Sequence, residues 1–76
     1  MDMRMKPGDI VRHFKGNEYE LIHIARDSEA PERLLAIYRS TCDGAVWARP
    51  LDMFLETVER DGIMVPRFEY LGQNAK

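Results

Sequence analysis

The segment ETVERDGIMVPR, residues 56–67, carries an Asp-Gly dipeptide between two stretches of strand-forming residues. Asp-Gly in this setting favours a type I′ hairpin, because both central residues of that turn need positive φ. A two-residue turn at Asp61-Gly62 sets Val58 opposite Val65 and Glu56 opposite Arg67. The segment therefore predicts a β-hairpin with a cross-strand ion pair near its open end.

A second Asp-Gly dipeptide, Asp43-Gly44, lies upstream. The same turn chemistry predicts a hairpin that pairs residues 34–40 with residues 45–49. A two-residue turn there places Ser40 opposite Trp47 and Tyr38 opposite Arg49. Since alternate residues of a strand share a face, Tyr38, Trp47 and Arg49 are expected on one side of the sheet.

Turn signals also divide the rest of the chain. Lys15-Gly16-Asn17 separates predicted strands at residues 10–14 and 19–26, both rich in β-branched or aromatic residues. The polar segment DSEAPE, residues 27–32, is predicted to be a loop broken by Pro31. Residues 51–58 also have helical spacing, and Pro50 suits a first helical position. We predict one helical or 3₁₀ turn over residues 51–54, because the following hairpin requires extended chain from residue 56.

Short strands, tight turns and one helical turn predict an all-β fold, a small SH3-like barrel of about five short strands. The chain of 76 residues is long enough for one domain. We assign residues 1–7 to a lead-in, 8–71 to the domain and 72–76 to a frayed tail. A domain of this size builds a shallow groove more readily than a deep catalytic pocket.

Composition narrows the function classes. The net charge of −2 excludes a general basic field for a polyanion, although a local basic patch is still possible. The single cysteine, Cys42, forms no internal disulfide and supplies no metal-binding pair. The polar N-terminal stretch does not resemble a signal peptide, and no apolar run approaches the length of a membrane span. We therefore expect a cytoplasmic protein.

Arg49 is the leading candidate for a functional residue. It follows Trp47 by two positions and precedes Pro50, which restricts it to extended conformations. A guanidinium beside the rings of Tyr38 and Trp47 can stack on them and still offer its fork to a carboxylate or phosphate. The alternative is structural: Arg49 covers Trp47 and pairs with Asp52 or Glu56.

A second cluster of potential cations, Arg12, His13 and Lys15, flanks one turn and predicts either an anion contact or a solvated hairpin tip. His13 and His23 are the only histidines, and neither has a second ligand at metal spacing. No nucleophile has a motif around it. We therefore predict no catalytic residue, no cofactor and no metal site.

Four pieces of sequence in order, HFKG at 13–16, YR at 38–39, WARPLDMF at 47–54 and PRF at 66–68, resemble domain-of-unknown-function family 1653, a family of small bacterial domains. The resemblance runs from about Gly8 to Tyr70. It implies a compact β-barrel and no activity, because the role of that family is uncharacterised. It implies that the family pattern falls on His13, Phe14, Lys15, Gly16, Tyr19, Tyr38, Arg39, Trp47, Arg49, Pro50, Met53, Phe54, Pro66, Arg67 and Phe68.

These observations predict a non-enzymatic interaction module with a shallow aromatic–arginine face for a peptide or a small anion. The predicted binding residues are Trp47, Arg49, Tyr38, His13 and Arg12. One alternative is a nucleic-acid-binding barrel, which requires several basic side chains to converge on one side: Arg4, Lys6, Arg12, Lys15, Arg39 and Arg49. A small-ligand acceptor or enzyme would need a closed pocket and a shifted His13 pKa. A purely structural interaction or dimerisation domain is the last alternative.

Overall fold

The computed structural model describes residues 6–73, with the side chain of Gln73 left out. They form seven strands and one short helix. In chain order the elements are β1 (Asp9–His13), β2 (Glu18–Asp27), β3 (Ala30–Ser40), β4 (Val46–Pro50), α1 (Leu51–Phe54), β5 (Thr57–Arg60), β6 (Ile63–Pro66) and β7 (Phe68–Gln73). No helix among the described residues is long and apolar enough to cross a membrane.

The strands form two antiparallel sheets. Five of them pair in the order β4-β3-β2-β1-β7, and β5 pairs with β6 in a separate hairpin. The all-β prediction is confirmed, but the barrel is not closed and there are more strands than the predicted five. Closure would need a second strand partner for β4, whereas the chain after β4 continues through α1 into the separate β5–β6 hairpin. β4 and β7 are thus the two edges of the larger sheet.

The hairpin at Asp61-Gly62 has the predicted geometry. Asp61 has φ of 54° and Gly62 has φ of 80°, as the type I′ turn requires. Val58 pairs with Val65. The Nη2 atom of Arg67 lies 2.5 Å from the Oε2 atom of Glu56. The register and the ion pair predicted for this segment are confirmed.

The turn at Asp43-Gly44 is longer than the predicted two residues. Ser40 N–H donates to the Ala45 carbonyl, so residues 41–44 form the loop. The Ser40 hydroxyl accepts from Cys42 N–H, and the Asp43 carboxylate accepts from Ala45 N–H, which stabilises the wider turn. Tyr38 therefore pairs with Trp47, and Ala36 pairs with Arg49. The predicted register was wrong by two residues, an even shift that keeps every side chain on its predicted face.

The predicted loop over residues 27–32 is mostly strand. β2 ends at Asp27 and β3 begins at Ala30, so that Ser28 and Glu29 alone connect them. Asp27 caps this tight turn by accepting from Glu29 N–H. Pro31 is tolerated in β3 because β4 pairs only with residues 35–39, and because the β2–β3 register shifts next to Asp27.

At the other end of the chain, β7 includes Gly72 and Gln73, which pair with Ile10 and Asp9, although the sequence predicted a frayed tail from residue 72. Residues 74–76 of that tail lie outside the described residues.

The core is small and largely aromatic. Its buried apolar residues are Val11, Leu21, Ala36, Tyr38, Phe54 and Phe68. Phe54, at the end of the confirmed helical turn, stacks on Phe68 with 4.2 Å between ring centroids. The Tyr38 ring lies 5.2 Å from each of these two rings. Tyr38 thus belongs to the core while its hydroxyl points toward the surface site described next.

Candidate aromatic–arginine cleft

A shallow cavity of about 210 Å³ lies on the inner side of β4. We call it the Arg49 cleft. Six residues from five strands line it: His13 of β1, Tyr19 of β2, Tyr38 of β3, Trp47 and Arg49 of β4, and Phe68 of β7. Four of the five predicted binding residues are therefore brought together in one depression.

The floor of the cleft is buried and closely packed. Tyr38 and Phe68 are 5% and 3% exposed, and both belong to the core. The Tyr19 ring meets Tyr38 edge-on at 5.2 Å and Phe68 edge-on at 5.8 Å. Edge-to-face contacts of this kind hold aromatic rings in defined orientations. The floor thus presents ring edges and one phenol hydroxyl to any group that enters.

Arg49 is held at the cleft by Tyr38. Its Nε–H donates a hydrogen bond of 3.3 Å to the Tyr38 hydroxyl oxygen. No carboxylate among residues 6–73 forms an ion pair with Arg49, and Glu56 pairs with Arg67 instead. The predicted alternative, in which Arg49 pairs with Asp52 or Glu56, is therefore not found among these residues. The guanidinium keeps its two Nη groups available to an anion.

Trp47 forms the outer wall. It lies directly opposite Tyr38 in the β3–β4 register and remains 55% exposed. Among residues 6–73, the cation–π contacts are those of Lys15 and Arg60 with the Phe14 ring. The predicted stacking of Arg49 on Trp47 is not observed there. The indole is instead an open apolar surface two residues from a positive charge.

His13 closes the cleft on the side of β1. Its Nδ1 accepts a hydrogen bond of 3.1 Å from Lys15 N–H, and its ring meets Phe68 edge-on at 5.0 Å. Burial lowers the pKa of His13 below its ordinary value of 6.5, and the positive charges of Arg67, Lys15 and Arg49 lower that pKa further. A neutral His13 with Nδ1 as acceptor carries its proton on Nε2. Three cationic side chains therefore act on this histidine, and one of them, Arg67, is paired with Glu56.

Arg12 is the one predicted binding residue outside the cleft. It alternates with His13 along β1, so it faces the other side of the sheet. There its guanidinium lies 3.5 Å from a carboxylate oxygen of Glu18 and 3.8 Å from one of Glu69. Arg39 on the same outer face pairs with Glu20 at 2.6 Å. The basic residues proposed for a nucleic-acid face thus do not converge, and Arg4 lies outside the described residues.

Sequence reasoning did not find Tyr19 and Phe68 as parts of this site. Tyr19 was visible as a strand aromatic, and Phe68 follows the hairpin directly. Their contribution depends on β1 pairing with both β2 and β7, which joins distant parts of the chain. No local sequence signal indicates that pairing.

Two other depressions are larger than the Arg49 cleft and are lined by different residues. One of about 470 Å³ lies between the start of β3 and α1, and its lining includes the apolar Leu34 and Met53 and the acidic Glu32 and Asp52. Another of about 420 Å³ lies beside the β5–β6 hairpin and is bordered by Arg12, His13, Phe14 and Arg60. Within residues 6–73, no group of three or more His, Cys, Asp or Glu is placed to hold a metal ion.

The fold and the cleft define a small all-β domain of antiparallel strands with an aromatic–arginine depression beside one sheet edge. Residues 9–70 match the family described as "Protein of unknown function (DUF1653)", and the chain belongs to that family. It is similar to the crystal structure of a DUF1653 protein from Bordetella bronchiseptica, with a TM-score of 0.80 and 29% identity. That similarity covers 95% of this chain and 94% of the other. No curated protein matches the chain.

Proposed function

We propose that this protein is a non-enzymatic binding module whose Arg49 cleft takes a small anionic group, foremost a carboxylate presented by a peptide. The observation that carries the proposal is that Arg49 is oriented by a hydrogen bond and has no ion-pair partner among the described residues. Tyr38 orients its guanidinium from within the core, and no carboxylate of the described chain neutralises it. A guanidinium held in this way is prepared for a bidentate contact with a planar anion.

The size of the cleft limits the ligand. Sites that enclose whole small molecules usually measure roughly 300–1,000 Å³, whereas this cavity holds about 210 Å³. It therefore suits one functional group of a larger ligand rather than a complete metabolite. A carboxylate side chain meets this limit, with the rest of the peptide lying outside the cavity.

Electrostatics favour the same class of ligand. Arg49, Lys15 and Arg67 all act on His13, whereas Arg12 and Arg39 on the opposite face are paired with glutamates. Arg67 is paired with Glu56, but Arg49 and Lys15 have no carboxylate partner among residues 6–73, so unpaired positive charge lies on the cleft side even though the chain as a whole is acidic. Because the cleft is open to solvent, its attraction for an anion weakens as ionic strength rises.

The chemistry of the lining residues supports binding rather than catalysis. The six residues of the cleft include no Ser, Cys, Asp or Glu, so the cavity lacks the usual pair of a nucleophile and an orienting carboxylate. His13 uses Nδ1 to accept from Lys15, which removes the acceptor that a general base would offer.

The test is a titration with blocked glutamate, acetylated and amidated so that its side chain carries the only charge. Trp47 is the only tryptophan, so indole fluorescence and the indole N–H signal both report on the cleft. We expect saturable changes at Trp47 and Arg49, with a Kd on the order of 1 mM for so small a ligand. Blocked glutamine, which has the same shape without charge, is expected to give no saturable change.

Arg49→Gln is expected to abolish the response to blocked glutamate. Arg39→Gln is the matched control, because Arg39 is an arginine of the same strand pair that lies on the outer face and is already paired with Glu20. If the two variants lose binding equally, or if glutamine binds as well as glutamate, the carboxylate site assigned to the cleft is wrong.

A further inference from the structure

The free edge of β4 lies directly beside the Arg49 cleft. Among the described residues β4 pairs only with β3, so its second edge has no strand partner. Val46 and Trp47 on this strand are 60% and 55% exposed. Unpaired backbone groups and exposed apolar side chains on an edge strand form a template for pairing with another extended chain.

The register identifies which backbone groups are free. Ser40 N–H donates to the Ala45 carbonyl, and hydrogen-bonded pairs alternate along an antiparallel ladder. The backbone groups of Trp47 and Arg49 therefore face β3, and those of Val46 and Ala48 face outward. The next outward residue is Pro50, which has no N–H and ends the row of donors.

The β4 edge is also the more regular edge of the sheet. Its pairing with β3 continues without a shift from Arg39 and Val46 to Leu35 and Pro50. The pairing of β7 with β1 at the opposite edge contains an irregularity between Ile10 and Val11. Bulges of this type twist an edge away from further pairing, so β4 is the edge that remains suited to a new strand.

We infer that β4 binds an extended acidic peptide segment of a partner protein as an additional antiparallel strand, with a carboxylate at Arg49 and an apolar side chain on Trp47. This inference rests on the proposed function and specifies its ligand. Antiparallel addition continues the pattern of the whole sheet and is slightly more stable per residue than parallel addition. The peptide residue opposite Ala48 exchanges backbone hydrogen bonds with it.

The geometry then determines a spacing and an order within the peptide. Its neighbours on either side of the residue opposite Ala48 lie opposite Arg49 and Trp47, in non-hydrogen-bonded positions where side chains approach closely. In an antiparallel peptide the residue opposite Arg49 comes first. The recognised pattern is therefore an acidic residue followed two positions later by an apolar or aromatic residue, with both side chains on the cleft face.

The experiment uses four blocked nonapeptides in a Ser/Thr background and the intact protein, with Trp47 fluorescence and backbone NMR as readouts. The first peptide carries Glu and, two positions later, Phe. The second places them side by side, the third reverses their order, and the fourth matches the first but carries an N-methyl group on the residue between them. We expect the first to bind about tenfold more tightly than each of the others, an effect of the size of one well-formed hydrogen bond.

Amide exchange at Val46 and Ala48 supplies an independent readout. Bound peptide is expected to slow exchange of these two amides, because both gain a partner, and to leave the Trp47 and Arg49 amides unchanged, because these already face β3. Slow exchange confined to these outward amides indicates strand addition, because docking through side chains alone does not give these amides a hydrogen-bond partner.

The remaining outcomes separate this inference from the proposed function. If blocked glutamate binds but all four peptides bind equally, the carboxylate site stands and strand addition is overturned. If sedimentation shows a dimer that Trp47→Ser dissociates, a second copy of the chain occupies the edge and the inference is overturned. If neither glutamate nor any peptide changes the Trp47 signal, both the proposed function and the inference are wrong.

Discussion

The Nε–H of Arg49 donates to the hydroxyl oxygen of Tyr38 across the β3–β4 pair, at a distance of 3.3 Å. Tyr38 pairs with Trp47 in the register and is 5% exposed, whereas Arg49 lies one step further along the same face of β4. A core aromatic residue therefore orients a surface cation. This relationship connects the packing of the domain to the binding proposed for the cleft.

Tyr38→Phe removes the hydroxyl and keeps the ring contacts with Phe54 and Phe68. We expect a loss of about 1 kcal/mol in the free energy of unfolding, the net value of a typical hydrogen bond. Binding of blocked glutamate is expected to weaken several-fold, because Arg49 loses its orientation. Urea denaturation and the Trp47 titration measure the two effects.

Tyr19→Phe is the control for this prediction. The Tyr19 hydroxyl has no hydrogen-bond partner among residues 6–73, although its ring packs against Tyr38 and Phe68. Its removal is expected to leave stability nearly unchanged. Equal effects of the two substitutions would show that the Tyr38 hydroxyl does not position Arg49.

The stability of the domain is expected to fall as the pH drops below about 6.5. Burial and the charges of Arg67, Lys15 and Arg49 lower the pKa of His13 in the folded state, so the unfolded state binds a proton first. The free energy of unfolding therefore decreases between the unfolded pKa of about 6.5 and the lower folded pKa, and the His13 contribution is constant above this window. Urea denaturation at a series of pH values measures this dependence.

His13→Gln is expected to flatten the pH dependence within that window. Arg49→Gln is expected to raise the pKa of His13, because one of the charges that depress it is removed. A bound carboxylate is expected to raise it as well, so anion binding tightens as the pH falls through the window. A histidine NMR titration in which neither change moves the His13 midpoint would contradict the proposed electrostatics.

Glu56→Gln is expected to destabilise the protein by about 1 kcal/mol, since the Glu56–Arg67 pair is partly shielded from solvent. The Arg67 side chain is 20% exposed, and its Nε is buried without a hydrogen-bond partner. Removing the carboxylate therefore leaves a largely buried guanidinium with still fewer contacts. Thermal or urea denaturation measures the loss.

Glu20→Gln provides the comparison for that variant. Glu20 pairs with Arg39 at a similar distance, but the Arg39 side chain is 49% exposed. Exposed pairs contribute little, so a loss of about 0.5 kcal/mol or less is expected. A larger loss for Glu20→Gln than for Glu56→Gln would overturn the importance assigned to burial.

Gly62→Ala is expected to destabilise the β5–β6 hairpin by about 1–2 kcal/mol, the strain of a left-handed conformation for a residue with a Cβ. Gly62 has φ of 80°, and a Cβ at this position meets no atom within 4 Å, so backbone strain is the only source of the loss. Asp61→Asn is the control, because Asn tolerates the φ of 54° observed there. Denaturation curves of both variants provide the measurement.

The local features of the fold were predictable because turn chemistry and strand alternation act over a few residues. Asp61-Gly62 determined both the Val58–Val65 register and the Glu56–Arg67 pair. At Asp43-Gly44 the predicted register was wrong, since the Ser40 hydroxyl and the Asp43 carboxylate accept hydrogen bonds from backbone N–H groups and so favour a longer loop. The common face of Tyr38, Trp47 and Arg49 was nevertheless correct, because a shift of two residues preserves the side of a strand.

The site was only partly predictable, because the sequence does not show which face of a strand turns toward the core. His13 and Arg12 are neighbours in the sequence, and both were expected on one binding face. Strand alternation placed them on opposite sides once β1 had formed. The sequence carried the information for their separation, but it did not indicate which of the two faces the core.

The amino-acid sequence alone determined the all-β class, the tight hairpin and the alternation that sets Trp47 and Arg49 on one face. These follow from the conformational limits of Asp-Gly turns and from the two-residue period of a strand. Only the tertiary structure decided that the sheet stays open and that β7 pairs with β1, which brings Phe68 and His13 to the cleft. Pairing between the two ends of a chain depends on the packing of the whole core, because no short-range conformational preference distinguishes it from other pairings.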